Sequence, residues 1–344
     1  MRRLDQADAA CVRITVFSSS PPLLSIRYSV LEAELISIEI PPSLAGLRLD
    51  QALTELFPHF SRNRLQSWIR LGHALVDGFA TTPKQKVRGG ERLELRVESE
   101  VETNCRGQDI PLDLLYEDEA LLIVNKPAGL VVHPAAGHRD GTLQNALLHY
   151  APELAGIPRS GIVHRIDKDT SGLLMVAKSL HVHKSLVDQL QERSIHREYL
   201  ALVQGHLTAG GTVDEPIGRH PVDRKRFAVR LGGKDSVTHY RVAERFPGHT
   251  LLRVKLETGR THQIRVHMGH IRHPLVGDAM YGGRLRLPVG ADEVSAATLR
   301  GFRRQALHAE TLGLRHPVTG DYCEWRADLP EDMRQLLDAL RSFE

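Results

Sequence analysis

The 344-residue sequence contains only three cysteines, Cys11, Cys105 and Cys323, and they lie far apart. No two have metal-ligand spacing, and an odd count offers no disulfide framework, so a reducing cytoplasm is the expected setting. Histidine is plentiful at 19 residues, yet there is no HExxH run and no His/Cys cluster with metal spacing. A P-loop and a dinucleotide-binding fingerprint are also missing. No apolar run approaches the roughly 18 residues of a membrane span. Arg2 and Arg3 lead into Asp5, Gln6 and Asp8 instead of an apolar signal core, so secretion is not expected. The formal net charge is only +3, too small by itself to indicate a polyanionic partner. With 41% apolar residues the chain can fill an ordinary core, and its length allows more than one domain.

Charge is nonetheless concentrated in one region. Residues 1–36 show no period and are broken by Ser18, Ser19, Ser20, Pro21 and Pro22. They read as a loosely ordered extension, or as an over-long reading frame with translation starting further in. Residues 37–97 read as a small module. Leu49, Leu53, Leu56 and Phe57 have helical spacing up to Pro58. Ser61 is placed to cap a second helix that buries Leu65, Trp68 and Ile69. Asp77-Gly78 is a hairpin turn signal, and Arg92–Val97 alternates as a strand. From Ser61 to Val97 eight bases, among them Arg62, Arg64, Lys84, Lys86 and Arg88, outnumber three acids, giving +5 on 37 residues. Contact with a phosphate backbone requires such clustering; a solvated basic face is the plain alternative. Residues 98–108, with Glu98, Glu100 and Glu102, read as a linker to a larger domain, 109–344.

In that larger domain strands and helices alternate without βαβ regularity, and short turns join several strands. The pattern predicts an α+β fold with a mixed, mainly antiparallel sheet flanked by helices. Leu121–Val124 reads as a buried strand running into the turn Asn125-Lys126-Pro127-Ala128-Gly129, and Thr142–Tyr150 as a short helix. Leu180, His183, Leu186, Val187 and Leu190 mark an amphipathic helix, and Ile195–Val203 a strand. Residues 220–234, with Arg224, Lys225, Arg226 and Arg230, read as a basic loop or a solvated hairpin end. Thr261 is expected to cap a short helix in which Ile264 and Met268 share the packed face and Arg265 lies one step round.

The stretch that organises the rest is GIVHRIDKDTSGLLMVAK, Gly161–Lys178. Gly161–Ile166 reads as a strand, Asp167–Gly172 as a polar turn, and Leu173–Ala177 as a second, buried strand. His164, Arg165 and Lys168 surround Asp167 with donors and positive charge. A neighbouring cation favours an ionised carboxylate, which suits a nucleophile or a base more than a proton donor. An ordinary hairpin with a solvated turn would show the same local pattern.

HRIDKDTSG followed by LLMVAK resembles the catalytic motif of RluA-type pseudouridine synthases. The likeness continues in IVNKPAGLVVHP, in REYLA, in ETGRTHQIRVHMGHIRHPLVGDAMYGG and in RQALHA, and covers the chain from about Leu47 to Leu340. LRLDQAL, SRNRLQSWI and the LVDG turn resemble an alpha-L RNA-binding module. The resemblance implies a pseudouridine synthase-like catalytic domain at 109–344 and a small α/β alpha-L RNA-binding domain at 37–97. It implies that Asp167 is the catalytic carboxylate and that Arg265 pairs with it. Tyr199 is to stack on the target uracil and help move a proton, and Ile264 to pack against the base or the tyrosine. Arg165, beside Asp167, is the candidate for gripping the flipped nucleotide or filling its vacated place.

Making pseudouridine breaks the uracil N1–C1′ bond, turns the base and joins C5 to C1′. No net redox change occurs and no water enters the product, so no cofactor and no metal is expected. Asp167 would either attack C1′ or remove a ribose proton. The pairing of an alpha-L module with an HRIDKDTSG domain is most similar to the branch acting on 23S ribosomal RNA. The implied partner is that RNA, free or in a pre-50S particle, with the enzyme a monomer and no membrane involved. The alternatives are a branch member acting on other ribosomal or transfer RNA uridines and a non-catalytic ribosome-assembly factor. An aspartyl-phosphate enzyme and a two-carboxylate glycosidase fit less well, for want of a nucleotide site and of an acid partner.

Overall fold

The computed structural model of the chain describes residues 34–57, 60, 62–97, 105–134, 138–223, 225–288 and 290–342. Residues 1–33 of the expected N-terminal extension, the cap at Ser61, most of the linker and Arg224 lie outside them.

The basic stretch folds as a four-stranded antiparallel sheet in the order Glu34–Glu39, Arg92–Val97, Ala74–Val76, Phe79–Ala80. Two helices, Leu49–Leu56 and Arg62–Arg70, bury Leu49, Leu53, Leu65, Trp68 and Ile69 against Leu93 and Leu95. The hairpin at Asp77 and Gly78 has φ of 51° and 78°, the left-handed pair that a two-residue turn needs. Asp50 is fully buried where the helices meet and accepts from Arg48 Nε at 2.9 Å, Arg62 Nη2 at 2.8 Å and Gln66 Nε2 at 2.6 Å. Burial pushes its carboxyl up, but these donors hold it at about 2. The Glu34–Glu39 strand has no counterpart in the sequence reading, which saw no period before residue 37.

The larger sheet has nine strands. Along one path run Leu114–Glu117, Leu121–Lys126, Ser171–Ala177, Leu307–Arg315, His196–Gln204, His249–Leu256, Val237–Phe246 and Gly211–Asp214; Tyr322–Arg326 pairs with Leu307–Arg315. Every pairing is antiparallel except Leu307–Arg315 with Ser171–Ala177. This is the mixed, mainly antiparallel sheet that the pattern predicts. Both faces are covered, which is why LLIV and LLMVA read as unbroken apolar runs. Leu122, Val124, Leu174 and Val176 point into one core with Ala201, Val203 and Leu252. Their neighbours Leu121, Ile123, Leu173 and Met175 enter another with Leu186, Leu312 and Trp325. The period of two along each strand makes that division. Helices Glu293–Gly301 and Glu331–Arg341 close a third core over Leu200 and Leu202. Among the described residues no helix is long and apolar enough to cross a membrane.

One expected strand is not formed. Gly161–Ile166 makes a single bridge, Ile162 to Val176, and otherwise runs irregularly. Arg159, Ser160 and Gly161 all have positive φ, at 52°, 51° and 81°, and they throw the chain across the sheet face instead of along it. A Cβ at Gly161 would collide with the Ala177 carbonyl, so the β-branched run is packed by close backbone approach.

Candidate active site

Asp167 stands in the turn beyond that crossing segment, and its own carbonyl accepts from Thr170 N–H at 3.1 Å. Two neighbouring elements fix the turn. The Lys168 carbonyl accepts from Gly129 N–H at 2.9 Å and from Lys126 Nζ at 2.8 Å. Lys126 is fully buried and also donates to the Pro127 and Leu130 carbonyls at 2.6 and 2.9 Å. Burial drives its pKa down to about 7, against the pull of Asp169 and Asp167. On the other side Gln305 Nε2 donates to Thr170 Oγ1 at 3.1 Å, and Ser171 Oγ lies 2.9 Å from His308 Nδ1. These contacts explain why NKPAG, DTSG and RQALHA, far apart in sequence, meet in one place.

Arg265 comes from the helix Gln263–His270 and is only 7% exposed. Its Nη1 donates to Asp167 Oδ2 at 2.9 Å. Its Nε and Nη2 form a fork on Asp278, donating to Oδ2 at 2.7 Å and Oδ1 at 2.9 Å. Burial opposes the guanidinium charge, yet Asp278 and then Asp167 raise its pKa above the ordinary arginine value. Burial likewise pushes Asp278 up, but Arg265 and the N–H groups of Tyr281 and Met280 hold it below the usual carboxylate range. The helix is not capped by Thr261, as the sequence suggests. His262 occupies the cap in the left-handed region, φ 58°, and no side chain caps the helix there.

His262 Nε2 lies 3.8 Å from Asp167 Oδ1. Its Nδ1 is 2.9 Å from the Tyr281 hydroxyl, which accepts Phe227 N–H at 2.9 Å. Burial lowers the His262 pKa, with Asp167 opposing, so the ring is neutral near pH 7. Phe227 belongs to the hairpin of Ile217–Arg219 with Phe227–Val229. The basic 220–234 stretch thus contains the second strand of a hairpin, and that strand meets the site through Phe227, next to the connecting loop.

Asp167, Arg265, Tyr199, Ile264, His262 and Arg165 line one cavity of about 570 Å³. Tyr199 projects from the central strand His196–Gln204 and is buried; burial raises its pKa, Arg197 opposes and Asp167 adds to the rise. Ile264 is buried, whereas Arg165 is exposed. His164, in the same wall, accepts Met175 N–H through Nε2 at 3.1 Å. Burial, then Arg197 and His133, lower its pKa to about 3.

The five candidate basic residues between 62 and 88 stand elsewhere. Arg62 pairs with Asp50, Arg64 lies 5.4 Å from the Trp68 ring centre, and Lys84, Lys86 and Arg88 are exposed. None of the five lines the cavity. Sequence reasoning missed Asp278, His262, Tyr281, Lys126 and Arg197. For Asp278 a signal existed, since it is the sole acid between Thr258 and Gly283 and a buried arginine needs more counter-charge than one shared carboxylate.

The profile of the family described as RNA pseudouridylate synthase matches residues 120–270. The chain is 55% identical over 311 residues to the ribosomal large subunit pseudouridine synthase D of Xanthomonas campestris pv. campestris, covering 90% of this chain and 94% of that protein. It is 57% identical over 298 residues to the protein of the same name from Escherichia coli, covering 86% and 91%. It is 56% identical over 303 residues to the one from Pseudomonas aeruginosa, covering 88% and 95%. Among solved structures, human RNA pseudouridylate synthase domain containing 4 superposes with a TM-score of 0.52 at 24% identity, over 66% of this chain and 92% of that one, a likeness of fold. With relatives this similar over nearly their whole length, and a cavity that gathers the aspartate, arginine and tyrosine of the motifs, the chain belongs to the RNA pseudouridine synthase family.

Proposed function

We propose that the chain isomerises specific uridines of 23S ribosomal RNA to pseudouridine, with Asp167 as the reacting carboxylate. The observation that carries the reading is the 2.9 Å contact from Arg265 Nη1 to Asp167 Oδ2 at the wall of a cavity shared with Tyr199. The flipped uridine enters this cavity, its base against Tyr199 and Ile264, its ribose at Asp167. The carboxylate attacks C1′ or removes the C2′ proton; by either route the N1–C1′ electron pair leaves with the base. Rotation then presents C5 to C1′, and the C5 proton moves away with Tyr199 beside it. Arg265 holds Asp167 in place throughout, and Arg165 at the cavity rim grips the flipped nucleotide. Residues 37–97 act as the alpha-L RNA-binding domain through Arg62, Arg64, Lys84, Lys86 and Arg88, joined by 98–108 to the catalytic domain 109–344. The relatives named for the large ribosomal subunit support the choice of RNA. The setting is the cytoplasm, on free RNA or a pre-50S particle.

The test incubates the chain with a 23S ribosomal RNA transcript and maps pseudouridine by base-specific chemical modification. Wild type is expected to yield discrete sites, and Asp167→Asn to yield none while RNA affinity persists. Pseudouridine formed by Asp167→Asn overturns the assignment. Affinity without product in the wild type favours an assembly factor instead.

A further inference from the structure

We propose that Arg197 binds the carbonyl edge of the target uracil and balances the negative charge that the base acquires as its glycosidic bond breaks. The inference rests on the uridine-isomerising reading above. Arg197 and Tyr199 are two residues apart on one strand, so both side chains emerge from the same face, and both line the cavity. Arg197 is 7% exposed, and its Nε has no hydrogen-bond partner. Its hydrogen bond from Nη2 reaches the Glu257 carbonyl at a long 3.4 Å. Among the described residues no carboxylate pairs with it, in contrast to Arg265 in the same cavity, which has two. A buried, unpaired guanidinium is costly to keep, and the missing partner is supplied by what enters the cavity. The Gly259 backbone covers the group closely, since a Cβ there would stand 2.9 Å from Nη1.

Depth decides between a phosphate and the base. Arg159, Arg165, Arg193 and Arg260, which also line the cavity, are exposed and suit the phosphodiester chain at the mouth. Arg197, by contrast, is only 7% exposed, which suits a group that itself leaves solvent on entering the cavity, as the flipped base does. When N1–C1′ breaks, its electron pair goes to the uracil, and O2 and O4 share the charge. C1′ is meanwhile taken by the Asp167 carboxylate, or C2′ gives its proton to it. The charge disappears when C5 bonds to C1′. Guanidinium N–H groups aimed at O2 or O4 are already in place when the charge develops, the condition under which such donors act most strongly. Burial also lowers the Arg197 pKa, with Tyr199 opposing, the direction expected for a cation held without its counter-ion.

The experiment uses the full chain, a ribosomal RNA transcript that the wild type modifies, and the variants Arg197→Gln and Arg197→Lys. Single-turnover rates at saturating enzyme are measured beside RNA Kd over a range of salt. For Arg197→Gln the expected result is a rate lower by about 10²–10³-fold, the scale for losing one such donor. Its Kd stays within about twofold and the salt slope is unchanged, because no phosphate contact is lost. Arg197→Lys restores part of the rate. RNA carrying 5-fluorouridine, whose base is a better leaving anion, loses less in Arg197→Gln when disappearance of the nucleoside is followed; a merely structural arginine would not discriminate the two bases. A weaker Kd with a salt slope reduced by about one, at a near wild-type saturated rate, makes the ligand a phosphate and overturns the proposal. An unchanged rate overturns it as well. Should Arg197→Gln not fold, Arg197→Lys is read by the same split between rate and Kd. A wild type that forms no pseudouridine refutes the functional reading itself, whereas an active wild type with indifferent variants refutes the role of Arg197 alone.

Discussion

Replacing Asp278 by Asn leaves shape almost unchanged and removes one buried charge. Asp278 Oδ1 accepts from Arg265 Nη2 at 2.9 Å, Met280 N–H at 2.9 Å and Tyr281 N–H at 3.0 Å, while Oδ2 accepts from Arg265 Nε at 2.7 Å. An asparagine has a single acceptor oxygen. If it serves the two backbone groups, its NH2 faces the Arg265 Nε–H, donor against donor. The guanidinium then keeps Asp167 as its sole counter-ion in a site where it is only 7% exposed. Breaking one partner of a buried pair destabilises by about 3–5 kcal/mol. Arg265 would turn to relieve the clash, and a misplacement of about 1 Å in a positioning group is enough for about a 10²-fold loss of rate. The assay pairs urea unfolding with single-turnover pseudouridine formation at saturating enzyme, under conditions where the variant is folded. Asp50→Asn is the control, since it removes a similarly buried carboxylate from the helix Leu49–Leu56, which does not line the cavity. It should lose stability while its saturated rate stays near wild type. An Asp278→Asn variant with wild-type rate and wild-type midpoint would show that Asp278 does not position Arg265.

Acid should destabilise the chain through its neutral histidines. His164 and His183 have pKa values lowered, chiefly by burial, from 6.5 to about 3 and about 4. The unfolded state therefore binds more protons than the folded one below pH 6.5, and stability, complete above that value, is lost as pH falls towards 4. Each histidine contributes about 1.4 kcal/mol per pH unit in that window. Replacing His164 by Gln, which keeps an acceptor for Met175 N–H, should flatten the fall of the urea midpoint between pH 6.5 and 5; an unaltered slope would count against a neutral His164. Gly172→Ala should destabilise by more than about 2 kcal/mol and abolish activity, because Gly172 has φ 110° and a Cβ would overlap the Ala309 carbonyl. A folded, active Gly172→Ala with an unchanged melting temperature would mean that the parallel strands can separate there.

What could be read from the sequence divides along physical lines. Local periodicity found the helices at Leu49–Leu56 and Leu180–Gln191, because each buries one stripe. Turn chemistry found the Asp77-Gly78 hairpin. Long-range pairing left no local trace, so the strands Leu307–Arg315 and Tyr322–Arg326 and the single parallel junction at Ser171 and Gly172 were not foreseen. Gly161–Ile166 misled for the opposite reason: a β-branched run need not be a strand when positive-φ residues before it aim it across the sheet. At the site, Asp167, Tyr199 and Arg265 stood out because they sit in long motif blocks. Lys126 and Asp278 did not, because what marks them is a buried partner, and burial of a charge is settled only in three dimensions.

The division of labour around Arg265 follows from counting donors. A guanidinium can grip one carboxylate with two parallel N–H groups, and that is the stronger geometry. Here the fork goes to Asp278, and Asp167 receives a single N–H on Oδ2. Had the fork closed on Asp167, both its oxygens would be engaged and neither could reach a ribose carbon or proton without first breaking a charge-assisted bond. With Asp278 taking the fork, Asp167 is anchored through one oxygen and presents the other, Oδ1, to the cavity, with His262 Nε2 at 3.8 Å. Removing Asp278 therefore harms in two ways, since it loosens Arg265 and frees two donors to compete for Oδ1. Removing His262 does neither. An Asp278→Asn, His262→Ala double variant should be no faster than Asp278→Asn alone, and a faster double variant would mean that His262, not the freed arginine donors, obstructs Asp167.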